Sequence, residues 1–196
     1  MGKKIVFFDF DNTITKKDTL PIFLRYLYPF HIFIFKSLLF FPFYVLFKLK
    51  IISNDLAKKI LTNIFFRNLS LEIFNKKVEE FNLKILPKLI KDKAIELIDR
   101  YNKEGYIIAV VTGNFEEILK LWAKNNKVYL IGTKLEIRNN KFTGNLATEN
   151  CTSYQKVIRI KEIFNLEEFE EIIAYGDSES DLPMLNLAKK KVYKKL

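Results

Sequence analysis

Near its amino terminus the chain reads Ile5-Val6-Phe7-Phe8-Asp9-Phe10-Asp11-Asn12-Thr13, an apolar run that ends at two acids. Four bulky apolar residues in succession are typical of a parallel strand that is covered on both faces. Side chains alternate along a strand, so Asp9 and Asp11 are expected to leave the same face at its carboxyl end. Parallel sheets bind their ligands just beyond the carboxyl ends of their strands. The stretch therefore predicts a buried strand with a candidate site for chemistry at its end.

Two later strand patterns also end in polar residues. Residues 106–111 are apolar and β-branched and lead into Thr112-Gly113-Asn114, whereas residues 171–175 lead into Gly176-Asp177, with Asp181 four positions further on. Strands that alternate with helical patterns are the mark of an α/β fold, and in a doubly wound parallel sheet the strand ends converge on one crevice. We predict such a fold, with these polar residues gathered beside the two acids.

The remaining patterns of the carboxyl-terminal half fit the same sheet. Residues 128–131 predict another core strand, and residues 191–193 predict a final one. Residues 134–138 and 141–146 flank Asn139-Asn140, a pair that tolerates positive φ. A small antiparallel hairpin is therefore predicted there.

A long helical segment separates the first strand from the rest of the sheet. Residues 20–86 contain helical patterns and no convincing strand pattern, and within them residues 30–47 are almost continuously apolar. We predict a catalytic core formed by residues 1–15 and 87–196, and a helical, Phe-rich cap formed by residues 16–86.

Together with Lys156, the strand ends resemble the four motifs of the haloacid-dehalogenase-like phosphotransferases. The first motif of that family is Asp-x-Asp-x-Thr after a hydrophobic strand, here residues 9–13. The second is a Thr or Ser after a strand, here Thr112, the third is Lys156, and the fourth is Gly-Asp-x-x-x-Asp, here residues 176–181. The resemblance implies a Rossmann-like core with a helical cap inserted after the first strand.

The resemblance also implies hydrolysis of phosphate esters through a covalent intermediate. Asp9 would be the nucleophile that forms an aspartyl-phosphate. Asp11 would protonate the leaving oxygen and later deprotonate the attacking water. Lys156 would offset the acidic charge of the site and hold the phosphoryl group. The substrate phosphate would be bound, at a helix amino terminus, by Thr112, Gly113 and Asn114.

The acids of these motifs are also candidate metal ligands. Mg²⁺ prefers oxygen ligands, which Asp9, the main-chain carbonyl of Asp11 and Asp177 could supply. Asp181 would brace the site or share the cation. Because the sequence contains one cysteine and one histidine, it excludes an internal disulfide, and no cluster of these residues competes for zinc.

The third motif points to a subfamily. Residues 151–156 resemble the corresponding motif of the group that includes phosphoserine phosphatase, although Ser153 and Tyr154 stand where a Gly-rich turn usually precedes the Lys. Ser153 is expected to cap the helix that carries Lys156. Asp18 matches the position at which phosphoserine phosphatases carry a Glu that meets the substrate amine, so it is a candidate substrate-binding residue. A helix-capping role is the alternative for Asp18.

The cap itself resembles that of phosphatidylglycerophosphatase C-like members, which share the segment Phe-Leu-Arg-Tyr-Leu, here residues 23–27, before a hydrophobic run. This resemblance implies a lipid phosphate such as phosphatidylglycerophosphate as substrate. The net charge of +10 favours anionic partners, namely the phosphorylated substrate and an anionic membrane surface, and no nucleic acid is expected. The first apolar run is too short for a signal-peptide core, so we expect a cytoplasmic protein, peripheral at the inner face of the membrane.

The Phe-rich run has two interpretations. Its 18 residues would form a helix about 27 Å long, but Pro42 weakens a span, and a single crossing would separate Asp9 from Lys156. One interpretation is a pair of short apolar helices over residues 20–52 that rest on an anionic membrane. The other is that the run forms the core of the cap, with Phe33, Phe40, Phe43 and Phe47 inside.

Three functions therefore remain open. The first is a Mg²⁺-dependent phosphatase that acts on a lipid phosphate at a membrane surface. The second is a soluble phosphatase for a small metabolite such as phosphoserine. The third is a non-enzymatic, metal-binding interaction module, against which the intact acids argue. The oligomeric state is not predicted by any of these patterns.

Overall fold

The computed structural model describes residues 2–194. Its strands are β1 (Lys3–Phe8), β2 (Ile107–Phe115), β3 (Tyr129–Thr133), β4 (Leu135–Arg138), β5 (Lys141–Leu146), β6 (Phe169–Gly176) and β7 (Lys190–Tyr193). Five of them form a sheet in the order β3-β2-β1-β6-β7, in which every neighbouring pair is parallel. The chain winds outward from β1 in one direction and then in the other, which makes the end of β1 the switch point where such sheets bind ligands.

The helices are α1 (Thr19–Leu27), α2 (Phe30–Lys48), α3 (Asn54–Phe66), α4 (Leu71–Lys84), α5 (Leu86–Leu89), α6 (Asp92–Lys103), α7 (Glu116–Asn125), α8 (Tyr154–Ile163) and α9 (Leu182–Leu185). They cover both faces of the sheet. Val6 and Phe8 point into the cluster that includes α6 and α7, whereas Ile5 and Phe7 point into the cluster that includes α8 and α9. All four of these β1 side chains are fully buried, as a doubly covered central strand requires. The predicted α/β fold is confirmed.

Helices α1 to α4 form the cap, inserted between β1 and the rest of the core as predicted. The two chain segments that join the cap to the core run side by side. Lys16 N donates to Leu89 O (2.8 Å), and Lys91 N donates to Ile14 O (2.9 Å). The location of the cap is therefore confirmed, while its boundaries at residues 16 and 86 stay a prediction.

Aromatic side chains fill the interior of the cap. Phe23 packs edge to face against Phe74 and Phe81, with ring centroids 5.5 Å and 5.2 Å away. The hairpin of β4 and β5 joins this interior through Phe142, whose ring lies 4.7 Å from that of Phe74. The turn of the hairpin has the predicted positive φ at Asn139-Asn140, 50° and 58°. The hairpin thus links the core of the protein to its cap.

Helix α2 departs from both expectations for the Phe-rich run. Residues 20–52 were expected to form two short helices, but α1 has 9 residues and α2 continues for 19, through Pro42. The interpretation of α2 as cap core is also wrong, since none of its residues, all within the described chain, is buried. Only one side of α2 lies against α3, so Phe33, Phe40, Phe43 and Phe47 are half-buried. A proline removes one backbone hydrogen bond from a helix, and the turns on either side of it persist here.

The outer side of α2 is apolar and exposed. The exposed fraction is 63% for Phe35, 66% for Leu38 and 59% for Phe41. By length and composition alone, α2 is long and apolar enough to cross a membrane. A large apolar surface of this kind marks an interaction site more often than a free surface.

Candidate active site

The two acids of the first motif follow β1 directly. The strand ends at Phe8, and Asp9 N donates to Tyr175 O of the neighbouring β6 (2.9 Å), which fixes the start of the turn at residues 10–14. Within this turn Asn12 adopts a φ of 63°, a conformation that Asn tolerates. Asp9 and Asp11 both line one cavity beyond the carboxyl end of β1, although Asp11 lies in the turn and not in the strand.

Asp9 is held by a buried lysine. Lys156 comes from the first turn of α8, is 2% exposed, and its Nζ lies 2.6 Å from Asp9 Oδ1 and 2.6 Å from Asp181 Oδ1. Burial raises the pKa of Asp9 to about 7, although Lys156 pulls it down. Burial would lower the pKa of Lys156, but the two carboxylates outweigh this effect and raise the pKa above its usual value. The lysine therefore stays charged between them.

Asp11 has different partners, which belong to the cap and to β2. Its Oδ1 accepts hydrogen bonds from Thr19 N (2.7 Å) and Thr19 Oγ1 (2.6 Å), and its Oδ2 accepts one from Asn114 Nδ2 (3.0 Å). Burial raises the pKa of Asp11 against the opposing effect of the hydrogen bonds from Thr19. The two acids thus have separate environments, which is the arrangement that allows two roles.

The acids of the fourth motif lie at the end of β6. Carboxylate oxygens of Asp9, Asp177 and Asp181 lie within 4.8 Å of one another. Asp177 Oδ1 accepts a hydrogen bond from Thr13 Oγ1 (3.1 Å). Asp181 is more heavily engaged, since its Oδ2 accepts from Ser178 N (3.0 Å), Ser178 Oγ (2.8 Å) and Asp177 N (3.2 Å) while its Oδ1 contacts the lysine. An all-oxygen donor set of this kind fits Mg²⁺ better than zinc.

Thr112, Gly113 and Asn114 lie at the carboxyl end of β2 and line the cavity. Strand β2 continues through Phe115 and α7 begins at Glu116, so Thr112, Gly113 and Asn114 lie in the last residues of β2, just before the amino terminus of α7, and their role as a phosphate site stays a prediction. Asn114 N donates to Thr112 Oγ1 (3.0 Å), and the Asn114 side chain donates to Asp11 and to Thr19 Oγ1. Asn114 therefore orients Asp11, while all three residues still line the cavity.

Two smaller expectations concern single side chains. Ser153 occupies the position before α8 but makes no capping hydrogen bond, because its φ of 52° and ψ of −127° aim the side chain elsewhere. This is a conformation that glycine adopts readily, at the point where the related motif usually carries a Gly-rich turn.

Asp18 precedes α1 without a side-chain capping bond and accepts instead from Asn12 Nδ2 (2.7 Å), at the edge of the cavity.

One family of known proteins matches nearly the whole chain. The sequence model of the haloacid dehalogenase-like hydrolases matches residues 6–186. The chain belongs to this family. The family and the enzyme class predicted from the sequence, a phosphatase, are confirmed.

Individual relatives and solved structures are similar to this hydrolase in sequence or in fold. Phosphoserine phosphatase of Lactococcus lactis is 33% identical over 98 residues, which are 48% of this chain and 45% of that protein. Protein CicA of Caulobacter vibrioides is 27% identical over 97% of this chain and 85% of its own. Among solved structures, a protein of unknown function from Bordetella pertussis has a TM-score of 0.84 at 18% identity, covering 97% of this chain and 89% of its own. A substrate-bound phosphoserine phosphatase has a TM-score of 0.67 at 19% identity, covering 98% and 86%.

The cavity of this haloacid dehalogenase-like hydrolase has a volume of about 430 Å³, within the usual range for small-ligand sites. Its floor is polar and carries the motif residues described above. Its wall comes from the cap and is largely apolar, with side chains from α1, α2 and α3. The apolar wall residues are Leu20, Pro21, Phe40, Tyr44, Phe47, Ala57 and Leu61.

One charged residue of this wall was missed by the sequence analysis. Lys58 of α3 lines the cavity, and its Nζ donates to Gly113 O (3.0 Å) and lies 4.2 Å from the centroid of the Phe115 ring. Burial lowers the pKa of Lys58 to about 8. A single lysine in an amphipathic helix predicts a solvated position, so the sequence offers no signal that separates Lys58 from its exposed neighbour Lys59.

Proposed function

We propose that this protein is a Mg²⁺-dependent phosphomonoester hydrolase that works through an aspartyl-phosphate on Asp9. The observation that carries the proposal is the pairing of Asp9 Oδ1 with the buried Lys156 Nζ at 2.6 Å, on the floor of the cavity. A nucleophilic carboxylate needs positive charge nearby to receive a dianionic phosphoryl group, and Lys156 supplies it.

The reaction would proceed in two displacements. A carboxylate oxygen of Asp9 attacks phosphorus while the ester oxygen leaves, and Asp11 gives its proton to that oxygen. Asp11 then takes a proton from water as the water oxygen attacks phosphorus, which releases phosphate and restores both acids. The raised pKa of Asp11 suits a group that must hold a proton and return to its carboxylate.

The metal would be held by Asp9, the main-chain carbonyl of Asp11 and Asp177, with Asp181 in support. When bound, Mg²⁺ would neutralise charge on the phosphoryl oxygens. The clustering of the Asp9, Asp177 and Asp181 oxygens within 4.8 Å supports this assignment. Asp181, already engaged by Lys156 and the loop amides, would orient the lysine.

The substrate would be a lipid phosphate such as phosphatidylglycerophosphate. The wall of the cavity supports this choice, because Phe40, Tyr44 and Phe47 come from the same helix whose outer side is apolar and exposed. An acyl chain lying along α2 would thus connect a bilayer to the reacting acids. A fully polar leaving group would leave this wall without a function.

The protein would act at an anionic membrane surface on the cytoplasmic side. Exposed Arg25, Lys48 and Lys50 flank the apolar side of α2, and the chain carries a net charge of +10. Helix α2 would lie in the interface and not span the bilayer, since it packs along α3 through Lys36 Nζ and Ile64 O.

A soluble, phosphoserine-like phosphatase is the second candidate. Asp18 at the edge of the cavity and Lys58 in its wall offer one charge of each sign, as a zwitterionic substrate requires. Several relatives are phosphoserine phosphatases. A non-enzymatic metal-binding module is disfavoured, because it would have no use for a nucleophile, an acid and a lysine around one cavity.

Phosphate release tests the proposed reaction directly. The assay compares phosphoserine with dihexanoyl phosphatidylglycerophosphate, in Mg²⁺ and after EDTA treatment. We expect turnover to fall at least about 100-fold in EDTA and to return on addition of Mg²⁺, because the phosphoryl charge would otherwise be uncompensated. Faster turnover of the lipid ester favours the lipid proposal, and faster turnover of phosphoserine favours the second candidate. Turnover that EDTA leaves unchanged would contradict the metal assignment.

Vesicle flotation tests the membrane proposal separately. Wild-type protein is expected to float with vesicles that contain phosphatidylglycerol and to be released by high salt, because apolar and ionic contacts act together. Replacing Phe35, Leu38 and Phe41 by Ser should abolish flotation. Leu83→Ser is the matched control, since Leu83 is 75% exposed on α4, away from this surface. Equal flotation of the triple variant would rule out α2 as the contact.

A further inference from the structure

The side-chain amide of Asn114 has a fixed orientation beside Asp11. Asn114 Oδ1 accepts from Phe115 N at 2.7 Å, and a backbone N–H can only donate, so the oxygen of the amide must lie on that side. The two hydrogens of Asn114 Nδ2 then have two acceptors, Asp11 Oδ2 at 3.0 Å and Thr19 Oγ1 at 2.7 Å. Both donors of the amide are therefore engaged.

The hydroxyl of Thr19 extends these contacts to the other oxygen of Asp11. Because Thr19 Oγ1 accepts a hydrogen from Asn114 Nδ2, its own hydrogen is directed at Asp11 Oδ1, 2.6 Å away. Thr19 N donates to the same oxygen at 2.7 Å. Thr19 begins α1 of the cap and is fully buried, and Asn114 of β2 is 3% exposed. Solvent therefore does not compete for these hydrogen bonds.

The two oxygens of Asp11 consequently differ. Each carboxyl oxygen has two lone-pair positions. Those of Oδ1 are both filled by Thr19, whereas Oδ2 accepts only from Asn114 among the residues that the structure describes, 2–194. A proton on Asp11 would displace a hydrogen bond if it were carried by Oδ1, and it displaces none on Oδ2. The neutral carboxyl therefore carries its proton on Oδ2.

Resting on the function proposed above, we propose that Thr19 and Asn114 are positioning residues that direct the proton of Asp11 through Oδ2 to the ester oxygen of the substrate. As the bond from phosphorus to that oxygen breaks, its electron pair stays with the oxygen, which takes the proton from Oδ2. Asp11 becomes a carboxylate, which the three hydrogen bonds from Thr19 and Asn114 stabilise. In the second displacement Oδ2 takes a proton from the attacking water.

A purely structural role for Thr19 makes a different prediction. If its contacts only joined the cap to β2, their loss would lower the turnover of every ester alike. A displaced Asp11 affects only those esters whose leaving oxygen needs a proton, as an alkoxide does and a stable phenolate does not. The ratio of kcat/KM between two such esters therefore separates the two roles.

Two esters of similar shape isolate the proton transfer. The leaving group of p-nitrobenzyl phosphate is an alkoxide, and that of p-nitrophenyl phosphate is a stable phenolate. The value of kcat/KM reports only the steps up to departure of the leaving group, so the later attack of water does not enter. We expect Thr19→Val, assayed in Mg²⁺, to lower kcat/KM at least about tenfold for the nitrobenzyl ester and less than about threefold for the nitrophenyl ester. Single-turnover reactions with excess enzyme make slow esters measurable.

Asn114→Ala tests the second positioning residue. We expect the same selective loss on the nitrobenzyl ester, because Asp11 Oδ2 loses its donor. The double variant Thr19→Val/Asn114→Ala should lose little more than the weaker single variant, since both residues act through one carboxylate. A loss for Asn114→Ala that is equal on both esters would show that Asn114 serves the phosphoryl group and not Asp11.

Two further variants control the experiment. Thr19→Ser keeps the hydroxyl and should stay within about threefold of wild type on the nitrobenzyl ester. Thr62→Val removes the hydroxyl of another fully buried threonine of the cap, which donates to Lys58 O of its own helix, and should leave both esters unchanged.

Equal losses for Thr19→Val on both esters, or no loss on the nitrobenzyl ester, would overturn the positioning role while leaving the phosphatase proposal in place. Failure of the wild type to hydrolyse these two esters, phosphoserine and the lipid ester in Mg²⁺ would overturn both proposals.

Discussion

Asp9→Asn is expected to lower kcat for phosphomonoester hydrolysis by at least about 10⁴-fold, roughly 5.4 kcal/mol of barrier. The amide has nearly the shape of the carboxylate but cannot form the phosphorylated intermediate. Removal of a nucleophile typically leaves only the rate that binding and charge stabilisation supply. The expected effect is therefore on kcat, with little change in substrate affinity.

The fold should survive this substitution. Burial raises the pKa of Asp9 to about 7, which means that the buried site destabilises the ionised carboxylate. A neutral amide at this position does not carry that desolvation cost. Lys156 keeps its second partner, Asp181 Oδ1, at 2.6 Å. We expect the free energy of unfolding to change by less than about 1 kcal/mol, which is small beside the effect on rate.

Single-turnover kinetics and thermal unfolding measure the two effects. Acid-quenched wild-type enzyme should carry phosphate in a linkage that hydroxylamine cleaves, and Asp9→Asn should carry none. Asp99→Asn, an exposed acid on α6, is the matched control and should behave like wild type. If Asp9→Asn kept more than a tenth of the wild-type kcat, Asp9 could not be the nucleophile.

The floor of the site was predictable from sequence because it follows from local rules. Both acids directly follow the apolar strand β1, and in a parallel sheet such residues lie at the carboxyl edge, where the cavity is. Lys156 was identified only by resemblance, since a lysine in the first turn of a helix has no local signal of burial. Its burial depends on two carboxylates, Asp9 after β1 and Asp181 after β6, which come together only in the folded sheet.

The wall of the site was not predictable, because it depends on how the cap packs. Lys58 and Lys59 are equivalent in sequence, and the packing of α3 against α2 and β5 decides which one enters the cavity. The side-chain hydrogen bond from Asn114 to Asp11 was likewise not predicted, because it joins residues 103 positions apart in the chain. The burial of helix α2 was not predicted correctly for a related reason. A continuously apolar run has no polar side, so the sequence does not show which side is buried, and the packing against other helices determines it.

Lys156→Met is expected to have the second large effect, and on stability as well as rate. Lys156 is 2% exposed between Asp9 and Asp181, so its removal leaves two carboxylates facing each other in a buried site. Breaking a buried ionic group in this way costs about 3–5 kcal/mol. For a chain of this size the midpoint of thermal unfolding should fall by roughly 10 °C. Differential scanning calorimetry in EDTA measures the loss without interference from bound metal.

The pH dependence of that loss identifies its cause. Without the lysine, burial and mutual repulsion raise the pKa of both carboxyls above their values in the unfolded chain, so the native state binds protons that the unfolded state does not. Stability must then fall as pH rises through this window, and the deficit of Lys156→Met should be larger at pH 8 than at pH 5. The double variant Lys156→Met/Asp181→Asn removes one of the stranded charges and should recover part of the loss. A deficit that is equal at both pH values, or a double variant no more stable than the single one, would mean that Lys156 stabilises the site by packing and not by charge.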